Sequence, residues 1–312
     1  MKTTSILACA SLAAAASAFV IPQARDSASN SSSTINDTAI LNLALTLEHL
    51  ENAFYSGALS SFTADDFTND GLPVWARGRF EQIASHEQAH VQLLSNTLGT
   101  SATQACNYSF PYTSPSSFAA LAQVLSGVGV AAYAGAAQYL TNKDYISTAA
   151  AILATEARHA SWIAGPVNKA NPWSGPYETP LTFDSAYTLG AQFITSCPSS
   201  NPSLPVKSFP SLTLSNTSLG QVSEVTAGNN VTVEGQYVAF FSGLSTTFVQ
   251  VQNGQITIPS NGMGTAYAVL TSGNSSADDS TITAGVVILQ FPYDSTGGIE
   301  SNARMRMAED ML

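Results

Sequence analysis

Charge is what this sequence lacks most. Only 10% of its 312 residues are Asp, Glu, Lys or Arg, against about 25% in an ordinary soluble domain. The few that remain are mostly acidic, for a net charge of −11, which argues against nucleic acid or an anionic membrane as partner. Long apolar runs are missing too. Beyond the N-terminus no 18 consecutive apolar residues occur, so the sequence predicts no membrane span. Cysteine is scarce, with three in all. Cys9 falls in an N-terminal stretch that reads as a secretory signal over residues 1–18, with Lys2, an apolar core from Ile6 to Ala16, and an Ala16-Ser17-Ala18 cleavage site. That leaves Cys106 and Cys197, an even pair in an oxidising compartment, where one disulfide is expected rather than two free thiols. Six Asn-x-Ser/Thr sequons (Asn30, Asn36, Asn107, Asn216, Asn230 and Asn274) fit the same extracellular route and predict surface glycans.

What is present divides into two halves. Residues 19–35 are Ser/Asn-rich and read as a flexible leader. From 36 to 197 the hydrophobic period is helical, predicting helices over about 36–57, 73–99, 116–140 and 144–164, with a shorter fifth over 185–196. Four prolines between 198 and 209–210 predict a semi-rigid linker over 198–209. Beyond it the period becomes two. Val231–Phe241, Phe248–Ile258 and Ile282–Phe291 read as strands, with Asn253-Gly254 as a tight primed hairpin turn. The fold class is therefore α+β in two domains, a helical bundle followed by an antiparallel β-sandwich over 210–300. The tail 301–312 receives no assignment.

All four histidines lie in the helical half, and between Lys207 and Arg304 there is no Lys, Arg, His or Cys. Chemistry therefore belongs to the helices. Glu87-Gln-Ala-His90 and Glu156-Ala-Arg-His159 are both Glu-x-x-His, which aims a carboxylate and an imidazole at one point from one helix face. Helix one adds Glu48 and Glu51 on the face that carries Ala44 and Tyr55. Carboxylates on apolar stripes are costly unless they have a partner or a metal. This mixed oxygen and imidazole set suits iron, manganese or zinc better than copper(I) or calcium. A second motif overlaps the first: His86-Glu87-Gln-Ala-His90 is also H-E-x-x-H, the zinc-protease signature. No third ligand follows at short range, and a protease leaves the second Glu-x-x-His unexplained.

The stretch Leu47-Glu48-His-Leu-Glu51-Asn-Ala-Phe-Tyr55, together with His86-Glu87-Gln-Ala-His90 and Glu156-Ala-Arg-His159-Ala, resembles the secreted ferritin-like stress and desiccation-response family of fungi and plants. So does the Pro-rich run from Cys197, which is similar to the fungal branch. The resemblance covers about residues 36–292. It implies a ferritin-like up-down bundle with Glu48, Glu87, His90, Glu156 and His159 as ligands to iron or manganese. Glu51, His86, Tyr55 and Tyr133 would stand behind these ligands, although the two tyrosines also read as core aromatics. It further implies oxidase or peroxide-detoxifying activity, or else a non-enzymatic extracellular or cell-wall stress protein that kept the scaffold with a degenerate site. Assembly into an iron-storing shell is not expected of a glycosylated chain with an appended β domain.

The pattern departs from the family on the third helix. From Val91 to Thr155 the only acidic residue is Asp144. Antiparallel pairing sets the level of Glu156 near residues 129–133, where Gly129, Ala132 and Tyr133 offer no carboxylate. Three outcomes stay open: Glu51 substitutes from the neighbouring helix, the site holds one metal, or it holds none. The Gly/Ala-dense run Gly127–Ala137 also predicts unusually close packing of this helix.

Overall fold

The structure is a computed structural model that describes residues 35–298. The expected signal (1–18), nearly all of the expected leader (19–35), Asn30 and the tail 301–312 lie outside the described residues. Each long helix begins where a side chain can satisfy its first free N–H groups. Asn36 caps α1 (Asp37–Ser61). Thr63 and Asp66 form a reciprocal capping box on the short α2 (Ala64–Asn69). Ser114 and Ser117 do the same for α4 (Pro115–Ala136), with Pro115 in the first turn, and Asn142 caps α5 (Lys143–Trp162). Such caps contribute about 1 kcal/mol each. The exception is α3 (Ala76–Leu98), which starts at Trp75 without a side-chain cap.

α1 packs along α3 and α4 along α5, while α1 also meets α4 across the bundle. The turn between α4 and α5 is tied back to the start of α1, because Asp37 accepts from the Thr141 and Asn142 backbone N–H groups at 2.9 Å each. At the end of α5 the helix widens into a π-turn over Ile163–Val167 that contains Pro166. Phe54, Tyr55, Phe80 and Phe118 are fully buried at one end of the bundle.

The expected fifth helix ends early. α6 covers Phe183–Ala191, and Ile194–Ser196 becomes β2, which pairs with β1 (Asn107–Tyr108). The Cys106–Cys197 disulfide lies beside this small ladder. The pairing explains why the apolar period of residues 193–196 does not continue as helix. The Pro-rich stretch 198–209 runs along α6: Asp184 accepts from the Lys207 N–H at 3.0 Å, Thr188 accepts from the Phe209 N–H at 2.9 Å, and Phe209 is buried.

Two antiparallel sheets follow. One has the order β3 (Leu212–Leu214), β4 (Val222–Ala227) and β7 (Gln255–Thr257). The other has the order β6 (Ser245–Gln250), β5 (Tyr237–Ser242), β8 (Gly264–Thr271) and β9 (Ile282–Phe291). Leu212, Val225 and Ile256 from the first sheet share a core with Val238, Phe240, Leu270 and Leu289 from the second. This is the expected sandwich. Asn253 and Gly254 both have positive φ, 52° and 71°, as a primed turn requires. Their N–H groups are held by the Glu234 carboxylate at 3.1 and 2.9 Å. The strand expected from Val231 begins only at Tyr237, since Asn229, Asn230 and Gly235 all take positive φ and break the extended run.

The four-stranded sheet is covered on both faces. Its second face, with Phe241, Tyr267, Val286 and Ile288, joins the helical core, and the Tyr267 hydroxyl donates to the Gly127 carbonyl of α4 at 3.4 Å. One helix with its extension, Pro115–Tyr139, is long and apolar enough to cross a membrane. Here it is the central, mostly buried helix between α1, α5, α6 and this sheet.

The disulfide closes a loop of 91 residues that contains α4, α5 and α6, which chain-entropy arguments value at about 4.6 kcal/mol. Cys106→Ser/Cys197→Ser is expected to lose about 2–5 kcal/mol in urea unfolding, with the helical signal retained before the transition. A loss below about 0.5 kcal/mol would contradict this.

Candidate metal centre

Three helices converge their acidic and imidazole side chains midway along the bundle. α1 gives Glu48 and Glu51, α3 gives His86, Glu87 and His90, and α5 gives Glu156 and His159. The four glutamates are 4%, 6%, 0% and 1% exposed, and His159 6%. An unpaired buried carboxylate costs several kcal/mol, so four together in a charge-poor chain demand compensation.

His90 Nδ1 stands 3.2 Å from Glu87 Oε2, 3.3 Å from Glu48 Oε2 and 3.3 Å from Glu156 Oε1. One ring N–H cannot serve three carboxylates. His159 Nδ1 lies 3.2 Å from Glu87 Oε1 and 3.5 Å from Glu156 Oε2, at ion-pair distance but without hydrogen-bond alignment. Glu87 and Glu156 thus stand between the two imidazoles, each turning one oxygen towards either ring. Among the described residues, Glu51 Oε2, Glu87 Oε1, both Glu156 oxygens and His159 Nδ1 are buried without a hydrogen-bond partner. Donors bound to one metal at about 2.1 Å sit about 3–3.4 Å apart, and the donors of Glu48, Glu87, His90 and Glu156 all lie within 4.8 Å of one another. The residues present therefore fit a metal ion.

Electrostatics follow from this crowding. Burial, reinforced by Glu156 and Glu87, raises Glu48 to about 8 despite the imidazole of His90. Burial and the same neighbours push Glu51 well above the carboxylate range. For Glu87, burial is outweighed by His159 and His90, which hold it at about 2. Burial would lower His90, but Glu156, Glu48 and Glu87 drive it up to about 12. In the same way Glu156 and Glu87 overcome burial and raise His159 to about 9. Without metal, the site neutralises itself with protons.

The neighbouring residues divide into those that touch the donors and those that do not. The Tyr133 hydroxyl donates to Glu48 Oε1 at 2.6 Å. His86 Nδ1 meets His159 Nε2 at 2.9 Å with the rings stacked, centroids 5.1 Å apart and planes 13° from parallel. His86 therefore meets His159, and it is not among the clustered donors Glu48, Glu87, His90 and Glu156, as an H-E-x-x-H zinc site would need. Tyr55 does not touch the donors; its hydroxyl pairs with Ser126 Oγ at 2.9 Å and its ring packs among Phe54, Phe80 and Phe118. His49 lies apart, with Nε2 3.2 Å from the Thr103 carbonyl oxygen. The sequence reading missed a narrow apolar pocket between α1, α4 and α6, lined by Leu43, Ala44, Leu47, Ala132 and Phe183 and ending at Glu48 and Glu51. Its volume of about 20 Å³ admits a water-sized molecule. Phe183 is too distant in sequence for any local pattern to have signalled it.

Of the remaining sequons, Asn36, Asn107, Asn230 and Asn274 are exposed and Asn216 is half-buried. Asn36 is the α1 cap, and Asn107 donates from Nδ2 to Ser196 Oγ at 3.0 Å.

Residues 36–169, which contain every donor named above, match the family model described as Ferritin-like domain. Protein rds1 of Schizosaccharomyces pombe (strain 972 / ATCC 24843) is 28% identical over 178 residues, covering 57% of this chain and 44% of that protein. The matched stretch thus spans less than half the length of this curated relative. The helical region is ferritin-like, and antiparallel sheets follow it.

The raised groups set a sign for stability against pH. Glu48 moves from 4.5 to about 8, His159 from 6.5 to about 9 and His90 from 6.5 to about 12. Each holds a proton in the folded state that the unfolded chain releases within its window, so stability falls as pH rises there. Glu87 acts oppositely, but only as pH falls from 4.5 towards about 2. His49 and His86, both lowered by burial, oppose this below 6.5, so chelator-treated protein is expected to show a thermal midpoint that declines between about pH 6.5 and pH 9. Binding of a divalent metal displaces these protons, so its affinity should rise with pH. Circular dichroism melts with and without metal check both signs. A midpoint that rises with pH in the chelated protein contradicts the assignment.

Proposed function

We propose that this chain is a secreted ferritin-like stress-response glycoprotein whose bundle binds iron or manganese and uses it in oxidase or peroxide-detoxifying chemistry. The observation that carries the reading is the buried donor set of Glu48, Glu87, His90 and Glu156, where one imidazole N–H faces three carboxylates. Oxygen-rich ligation with imidazole favours iron or manganese. When bound, such a metal supplies one-electron chemistry towards dioxygen or peroxide.

The chain's own residues do the rest. Glu87 and Glu156 hold the centre from opposite helices, and the Tyr133 hydroxyl fixes Glu48. His86 sets the ring of His159, an arrangement that raises ligand basicity and limits wandering. The apolar pocket at Glu48 and Glu51 keeps bulk water out and restricts access to small molecules. Export is supported by the N-terminal signal pattern, the disulfide and the exposed sequons.

A second reading rests on Gly129, which stands where the third long helix would be expected to add a carboxylate. It favours a non-enzymatic extracellular or cell-wall stress protein that keeps the scaffold.

Metal analysis of the secreted protein separates the two, with Glu156→Ala/His159→Ala as control. Iron or manganese at one or more per chain, lost in the double variant, together with Fe(II) oxidation or peroxide consumption at least tenfold above that variant, is expected. Metal without activity favours the second reading. No metal in fully folded protein overturns the metal-centre proposal.

A further inference from the structure

The donors of the centre are arranged in two halves, and only one has been accounted for. On one side His90 faces Glu48, with Glu87 Oε2 and Glu156 Oε1. On the other His159 faces the opposite oxygens, Glu87 Oε1 and Glu156 Oε2. A terminal carboxylate matching Glu48 is needed on the His159 side, and α4 carries none.

Gly129 is the α4 residue at this level. A Cβ built there would stand 2.7 Å from Glu51 Oε1 and 3.8 Å from Glu156 Oε2. The Glu51 carboxylate therefore occupies the space into which a side chain of α4 would project. Glu51 follows Glu48 by three residues, so both lie on one face of α1, a turn apart. Its Oε2 is buried without a hydrogen-bond partner among the described residues, and the residue is 6% exposed. A carboxylate held in this way has no structural partner to justify its burial. Glycine within a helix also lowers helix stability relative to alanine. Both local disadvantages have one explanation.

We propose that Glu51 and Gly129 act as a pair that moves a metal ligand from α4 to α1. Glu51, Glu87, Glu156 and His159 form a second metal position beside that of Glu48, Glu87, His90 and Glu156, bridged by Glu87 and Glu156. The centre is then dinuclear with two ligands from α1 and none from α4. This rests on the metal-binding reading above and adds the count of metals and the identity of the fourth donor.

The test is metal stoichiometry of full-length protein loaded with Mn(II), read by elemental analysis, with circular dichroism melts to show folding. Wild type is expected to hold two metals per chain. Glu51→Gln, which keeps the side-chain shape, should fall to one. Gly129→Ala leaves every ligand chemically intact but crowds Glu51 Oε1, and should also fall towards one. Glu51→Ala/Gly129→Glu, which returns the carboxylate to α4, should recover the second metal. Two metals retained in folded Glu51→Gln would overturn the proposal. So would one metal in both wild type and Glu51→Gln, which leaves the metal-binding reading standing with a single site. No metal in folded wild type overturns both.

Discussion

Everything in the helical half is arranged around one constraint, the burial of four glutamates in a chain with very little other charge. Among the described residues no lysine or arginine pairs with them; the compensating groups are the imidazoles of His90 and His159. Two rings are not enough for four carboxylates, and the result is a cluster that retains protons when metal-free, with Glu48 raised to about 8 and His90 to about 12. Stability is given up at this spot. Proteins keep such sites where function requires them.

The same constraint explains the composition of α4. Its glycines and alanines lower the steric bulk on two sides at once. Gly129 leaves room for Glu51 on the α1 side, while a Cβ at Gly135 would come 1.8 Å from the Leu181 carbonyl oxygen, where the chain crosses the helix towards α6. The β domain takes up a further face, with Tyr267 and Ile288 in the helical core. The sandwich therefore serves as a wall of the bundle as well as a module in its own right. Its inner core is separate, built from Val238, Phe240, Leu270 and Leu289 against Leu212, Val225 and Ile256.

Much of this was legible in the sequence wherever a feature is local. The four long helices follow from their apolar period, with Asn36 marking the start of α1, the two Glu-x-x-His motifs from i, i+3 spacing, and the Asn253-Gly254 turn from its need for positive φ. The level of Glu156 against Gly129 also followed from antiparallel pairing. What was not legible depends on distant neighbours. β8, Gly264–Thr271, is buried on both faces, so it lacks the alternation that marks a half-exposed strand. Residues 194–196 look helical until β1 and the disulfide are placed beside them. Glu51 and His86 each occupy a face that sequence allows for several roles. Only the rotation of α1 and α3 shows that one fills the space at Gly129 and the other meets His159.

The most direct test of a metal centre in this bundle is anomalous diffraction from crystals of the full-length protein grown with manganese or iron. Peaks are predicted at the carboxylates of Glu87 and Glu156, one on the His90 side and one on the His159 side. Full occupancy of folded protein by neither metal, or a peak between His86 and His90 instead, would contradict the account.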